Sequence, residues 1–389
     1  MTELNRRISL AGATALLMLA TWPVRAEDDN NTRFLQTNLV SNVPGTAANF
    51  DAALQNAWGV ANFPDGPLWI NDNNDGLATL YDGNGNKVPL NVTIPLPPGR
   101  KAPPAAAPTG MVWNSTRGFN ITGNGGTTAP AIFIFDTEDG TISAWNGPAV
   151  DPITPGTPAT STATLVVDNS STGAVYKGLA LGTNKQGNFL FATNFAAGTV
   201  EAYDSNFKLV TLAGNFSDPN IPAGFAPFGI HNIDNNLFVT YAKQNAQKND
   251  VVAGAGLGFV DVFTTDGVFV RRFASGGTLN APWGVVRATQ KQGGFSGDIL
   301  IGNFGSTGKF AGWINAFSAG ADNDFHGPLL NEHGRPISID GLWSLFFGTF
   351  LNSDADTLYF TAGPNNQTNG LFGSLVAQVR TDADDLASK

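Results

Sequence analysis

The chain contains no cysteine, which removes disulfides, thiolate metal centres and cysteine nucleophiles from consideration. Histidine is scarce: His231, His326 and His333 lie far apart in sequence and show none of the paired spacing of a histidine metal site. Charge is sparse too. Only 13% of the residues are charged, and the acidic excess gives a net charge of −10. Such a surface repels phosphate backbones and anionic bilayers, so neither a nucleic acid nor a membrane is expected as a partner. The only sizeable apolar run, Ile8 to Ala20, is too short to span a bilayer.

What is abundant is glycine, proline and phenylalanine, with 46, 23 and 28 residues among 389. That mixture favours many tight turns joining short buried strands. The stretch Gly178 to Asp204, GLALGTNKQGNFLFATNFAAGTVEAYD, shows the unit. A short apolar strand, a turn at Lys185–Asn188, a second strand at Phe189–Thr193, a loop and an alternating third strand ending at Tyr203 make an antiparallel meander.

The start of the chain is set apart. Arg6 and Arg7 precede the apolar run, and Val24-Arg25-Ala26 supplies a small-x-small cleavage pattern, so residues 1–26 read as a secretory signal. Their removal takes away three arginines and one glutamate, shifting the net charge from −10 to −12. A periplasmic or secreted protein is expected, with residues 27–389 as one domain, a monomer with no membrane insertion.

Within that domain the unit recurs. A glycine followed by an apolar pair opens each copy at Gly59, Gly110, Gly178, Gly229, Gly284 and Gly341, with spacings of 51, 68, 51, 55 and 57. Six copies of a three- or four-stranded meander predict an all-β, six-bladed β-propeller. The last copy runs out near Val379 without an outer strand, and Phe34–Val40 is left over at the other end. That segment is predicted to complete the last blade and close the ring, removing an exposed edge. The Pro-, Ala- and Gly-rich stretches 97–108 and 147–162 read as surface loop.

These segments also carry a resemblance. AWGVANFPDGPLWINDNNDGLATLYDGNG, FIFDTEDGTISAWN, VYKGLAL, FLFATNFAAGTVEAYD, LFVTYAKQNAQKNDVVAGAGLGFVDVF, LNAPWGV, IDGLWSLFFG and LYFTAGPNNQTNGLFG together resemble a family of exported bacterial proteins of unassigned activity. That family is similar, at a distance, to the NHL-type and SMP-30-like six-bladed propellers. It implies the same fold and no catalytic residues.

Equivalent positions of equivalent blades must lie on a ring, so the candidate site is composite. The residues before the opener glycines are Trp58, Thr109, Lys177, Phe228, Trp283 and Asp340. The connections after the second strands begin with Asn71-Asp72, Asp136, Asn194 and Asn303. Both sets are expected at one mouth of the central channel, where Trp58, Asn71, Asp72, Asp136, Lys177, Asn194, Phe228, Trp283, Asn303 and Asp340 would bind a small polar molecule, a glycan or a protein partner. The competing reading makes the Asx residues turn stabilisers and the aromatics packing between blades. Lactonase-like propellers hold a divalent cation with Asn-Gly or Asp-Gly openers, and here Asp340-Gly341 alone fits. The segment Asn71-x-Asn73-x-Asp75-Gly76, with Asp82 beyond, resembles a Ca²⁺ loop whose context is strand–loop–strand rather than helix–loop–helix. A binding or scaffolding module is therefore the first reading, and a hydrolase or lyase with an Asp/Asn-lined, metal-dependent channel is the alternative.

Overall fold

The computed structural model describes residues 32–102, 104–123, 126–147, 159–349 and 352–379. The signal segment lies outside them. Among the described residues six antiparallel sheets stand around a central axis. Blade 1 runs outward through Ala57–Ala61, Leu68–Asp72, Leu77–Tyr81 and Lys87–Thr93, and blade 2 through Pro108–Trp113, Phe133–Thr137, Thr141–Trp145 and Thr164–Asp168. Blade 3 uses Tyr176–Asn184, Gly187–Asn194, Thr199–Asp204 and the two-residue strand Leu209–Val210. Blade 4 uses Phe225–Ile233, Asn236–Lys243, Gly258–Thr264 and Phe269–Ser275, and blade 5 uses Pro282–Arg287, Ile299–Asn303, Ile314–Phe317 and Phe325–Pro328.

Blade 6 closes the ring. Leu342–Phe347, Leu358–Ala362 and Leu371–Val379 are joined by Thr32–Ser41 from the other end of the chain, with Phe34 opposite Ala377 and Leu35 opposite Val376. The closure expected from the leftover strand is therefore present, and the architecture is the six-bladed propeller. The insert in blade 2 differs from the expectation of a plain loop. Ala159–Thr162 pairs in parallel with Lys87–Thr93 and adds a fifth strand to blade 1; a bare outer edge is a free row of hydrogen-bonding groups, and the insert covers it.

The second strand of each blade is short and apolar because it is covered on both faces. In blades 1, 2, 5 and 6 all five of its residues are buried, the pattern of a strand sandwiched between neighbours rather than facing water. One apolar cluster fills each gap between blades: Trp69 and Leu80 meet Phe133 between blades 1 and 2, and Leu300 and Ile314 meet Leu345 and Phe360 between blades 5 and 6.

The opener glycines have a steric cause. A Cβ on Gly59 would lie 2.3 Å from the Thr109 carbonyl, one on Gly110 2.4 Å from the Leu179 nitrogen, and one on Gly229 2.4 Å from the Trp283 carbonyl. Innermost strands thus pack backbone to backbone around the axis, a closeness that the missing Cβ allows at these positions. A Cβ on Gly284 would meet the carbonyl of Trp343 and the nitrogen of Leu345, so the sixth member of this series is Ser344. Asp340-Gly341 is three residues out of register. Gly341 is glycine for another reason: it sits at φ +65° in the turn before the strand.

Candidate functional site

The corrected register makes the ring Trp58, Thr109, Lys177, Phe228, Trp283 and Trp343. Its aromatic members converge on the axis as expected, but they fill the channel instead of lining an open mouth. Trp58 stacks on Trp343 with ring centres 3.4 Å apart, Trp283 stands edge-on to both at 6.3 and 6.1 Å, and Phe228 tilts against Trp343 at 5.9 Å. Phe304, from the loop after the second strand of blade 5, stacks on the far face of Trp343 at 3.7 Å, and Phe195 packs on Phe228 at 5.5 Å. All six rings are buried. They form a dry plug across the channel at the opener end, and stacked or edge-on aromatic pairs add to what their burial contributes.

Lys177 is buried beside the plug at 1% exposure. Its ammonium pairs with Glu138 and lies 5.2 Å over the Trp58 ring. Glu138 belongs to a polar relay that crosses four blades. Trp343 Nε1 donates to Asn56 Oδ1 at 2.8 Å, Asn56 Nδ2 to Asn73 Oδ1 at 3.0 Å, and Asn73 Nδ2 to Glu138 Oε2 at 3.2 Å. Asp340, by contrast, is exposed and works locally, its Oδ2 accepting from the Asn365 N–H at 2.8 Å. Lys177 and Asp340 therefore do not face one ligand from two sides.

The Asx residues fall into two registers. Asp136 Oδ1 accepts from the opener of its own blade, the Gly110 N–H at 2.6 Å and the Thr109 hydroxyl at 2.7 Å, whereas Asn71 reaches the next opener, its Nδ2 donating to the carbonyls of Thr109 and Gly110 at 3.0 and 3.1 Å. Thr193 and Thr361 do the same in blades 3 and 6, donating to the carbonyls of Phe228 and Trp58. Asn71, Thr193 and Thr361 thus staple blade to blade. Asp136 Oδ2 is buried without a partner, and burial pushes the carboxyl up to about 7. One residue further on stand Asp72, Asn194 and Asn303. Asn303 Nδ2 donates to the carbonyls of Thr278 and Phe310, and Asn194 Oδ1 accepts from the N–H groups of Val175 and Ala197; these two pin loops, as turn-forming Asx residues do. Asp72 is buried with neither oxygen hydrogen-bonded, and that burial pushes its carboxyl well above the usual range.

The Ca²⁺-like spacing is not assembled as a cage. Asn73 Oδ1 already accepts from Asn56 Nδ2 at 3.0 Å. Asp82 lies beyond the far end of the five-residue strand Leu77–Tyr81, about 17 Å from the turn at Asn73–Gly76, and its Oδ1 accepts from the N–H groups of Asn84 and Asn86. Among the described residues no group of three or more His, Asp or Glu side chains is gathered as a metal site.

Among the described residues, one cavity lies on each side of the plug, and the two share no lining residue. On the opener face, the loops after the second strands of blades 4, 5 and 6 enclose a basin of about 410 Å³. Its walls carry Asp250, Ser306, Thr307, Asn366 and Gln367, and Phe304 lies in its floor. Loops of three blades line the basin, and none of the ten residues singled out in the sequence does. Asn365, Asn366 and Gln367 take φ of 56°, 52° and 65° in succession. Three non-glycine residues in the left-handed region cost about 1–2 kcal/mol each, and strain of this kind concentrates where a side chain must be aimed. On the other side of the plug, the six innermost strands enclose a channel of about 440 Å³ whose lining is mostly apolar and includes Asn62, Ser115, His231, Asn232 and Ser344.

Fold and site thus define a six-bladed β-propeller whose axis is plugged by aromatics under a polar basin. A scan against protein-family models finds no match. The chain is 35% identical over 344 residues to an uncharacterized protein of Acanthamoeba polyphaga mimivirus, covering 87% of this chain and 78% of that one. A second uncharacterized protein of the same virus is 33% identical over 345 residues, covering 87% and 84%. The chain belongs to the family of these proteins. Among solved structures, a Bacteroides thetaiotaomicron protein of unknown function covers 89% of this chain and 76% of its own at 10% identity, with a TM-score of 0.54. Virginiamycin B lyase from Staphylococcus aureus covers 89% of this chain and 99% of its own at 14% identity, with a TM-score of 0.48. At these identities the likeness concerns the fold alone.

Proposed function

We propose that the protein is an exported binding module that holds a hydroxyl-rich small molecule, such as a saccharide unit, in the basin on the opener face. The observation that carries this reading is the basin's composition: a carboxylate, two hydroxyls and two amides around an aromatic floor. Donors and acceptors at the wall match ligand hydroxyls, and an aromatic face beneath matches a sugar's C–H surface. The ring residues Trp58, Lys177, Phe228 and Trp283 act beneath it, as the rigid support that fixes Phe304. Among the described residues the Asp250 carboxylate accepts from the Val251 N–H rather than from the Ser306 or Thr307 hydroxyl, an arrangement that suits binding better than activation of a nucleophile.

The test is calorimetry against a panel of mono- and oligosaccharides, using the parent and Asn366→Gly. Glycine accepts the left-handed geometry at this position, so the variant removes the side chain and keeps the turn. Saccharide binding that weakens at least tenfold in a variant of unchanged thermal stability supports the proposal. No binding across the panel, or equal binding by both proteins, overturns it. Export rests on residues 1–26, and N-terminal sequencing of the mature protein checks it: a start near Glu27 is expected, and retention of those residues contradicts it.

A further inference from the structure

The channel on the far side of the plug has a ring of its own. Two residues beyond each opener position stand Ala61, Val112, Ala180, His231, Val286 and Phe346, and all six line the cavity. Five are apolar and one is histidine. Equivalent positions in a closed ring share one depth, so His231 is a single polar point in an apolar collar.

Its geometry fixes which nitrogen faces a ligand. His231 Nε2 lies 2.9 Å from the Trp283 carbonyl oxygen, and a carbonyl only accepts, so Nε2 carries the proton. The imidazole also stands edge-on to the Trp283 ring, with centres 5.3 Å apart and planes at 88°. Nδ1 is left as a lone-pair acceptor with no hydrogen bond among the described residues. Burial pushes the pKa of His231 down to about 4, which keeps this nitrogen a neutral acceptor near pH 7.

We propose that the channel is a second ligand site, separate from the basin, for an apolar molecule carrying one hydroxyl donor, a phenol or a medium-chain alcohol, whose O–H donates to His231 Nδ1. Its volume of about 440 Å³ suits a small organic ligand. The apolar members of the collar supply the favourable burial, and at their depth His231 Nδ1 rewards the ligand that brings a donor, Asn62, Ser115, Asn232 and Ser344 being the other polar residues of the lining. A carboxylate or ammonium group would enter without a counter-charge in the collar, and desolvation disfavours both.

The experiment is isothermal titration of the full chain with 4-propylphenol and with 4-propylanisole, which has the same shape but no donor. Parent protein should bind the phenol at least tenfold more tightly, and His231→Phe should bind the two within twofold of each other. Independently of any substitution, ¹⁵N NMR of the parent's imidazole reads the contact directly: the Nδ1 resonance should shift with the phenol and stay in place with the anisole. Equal affinities in the parent, no binding of either compound, or an unmoved Nδ1 resonance at saturating phenol each overturn the proposal.

Discussion

Replacing Lys177 by methionine should destabilise the propeller by about 2–3 kcal/mol, and the structure shows why the cost is of that size. The ammonium is 1% exposed and its partner Glu138 is 30% exposed at the side chain. Removing one member of a buried pair costs about 3–5 kcal/mol when the other charge is stranded in the interior. Here the stranded carboxylate is nearly one-third exposed, so water screens it and the figure must come down. Roughly 1 kcal/mol of what remains belongs to the cation over the Trp58 face, 5.2 Å from the ring centre, a geometry with that typical worth when partly desolvated. Methionine keeps most of the stem's volume, so little of the loss comes from a cavity. The assay is urea unfolding at pH 7, followed by tryptophan fluorescence, for the parent, Lys177→Met, Glu138→Gln and the double variant. A coupling energy of about 1–2 kcal/mol between the two positions is expected. If Lys177→Met lies within about 0.5 kcal/mol of the parent, the usual scale for a surface side chain, the pair does not hold blades 2 and 3 together and the reasoning fails.

Two further outcomes follow from closure and from burial. Phe34 is fully buried in the cluster between blades 5 and 6, so Phe34→Ala should cost about 3–5 kcal/mol, and amide exchange should quicken along Leu371–Val379, the strand it pins; exchange that quickens equally in every blade would contradict strand-by-strand closure. The Asp136 carboxyl, raised to about 7 by burial, holds its proton in the folded chain after the unfolded chain has lost it, so stability should fall as pH rises from about 4 to 7 and then level off. Asp261, raised to about 6, acts in the same direction. Asp136→Asn keeps an acceptor for the Gly110 N–H and should flatten that decline, raising the melting temperature at pH 8 more than at pH 4.5; an unchanged difference between the two pH values would show that Asp136 is not its source.

The blades were legible in the sequence because their cause is steric and repeats. Where Gly59 comes within reach of the Thr109 carbonyl, and Gly229 within reach of Trp283, no other residue fits, so the spacing of glycines reports the spacing of blades. The sixth opener was misread because glycine answers to two constraints and one letter serves for both. Gly341 is set by a left-handed φ, whereas the contact position holds Ser344, whose hydroxyl donates to the Trp58 carbonyl at 2.9 Å. A hydrogen bond there takes over the close approach that glycine gives elsewhere. The pair Trp343-Ser344 could have been found by matching the tryptophans at Trp58 and Trp283. The basin offered no such handle. Asp250, Thr307 and Asn366 come from loops of different length, and no periodicity links residues that the repeat does not place.

The composition of the ring decides where that basin can form. Around the axis the six positions read Trp, Thr, Lys, Phe, Trp, Trp, and the bulk lies on the side of blades 4 to 6 and 1. There the stack of Trp58, Trp343 and Phe304 raises a solid aromatic floor, and the long loops of blades 4, 5 and 6 rise around it as walls. On the other side Thr109 is too small to reach the axis, and the space is taken by Lys177, Glu138, Asn73 and Asn56, each hydrogen-bonded to the next. That relay ends on the indole N–H of Trp343, so the polar half of the ring fixes the orientation of the ring at the centre of the apolar half. A buried network that satisfies its members specifies one packing. The asymmetry of one ring position thereby sets a single floor, under one basin, on one side of the axis.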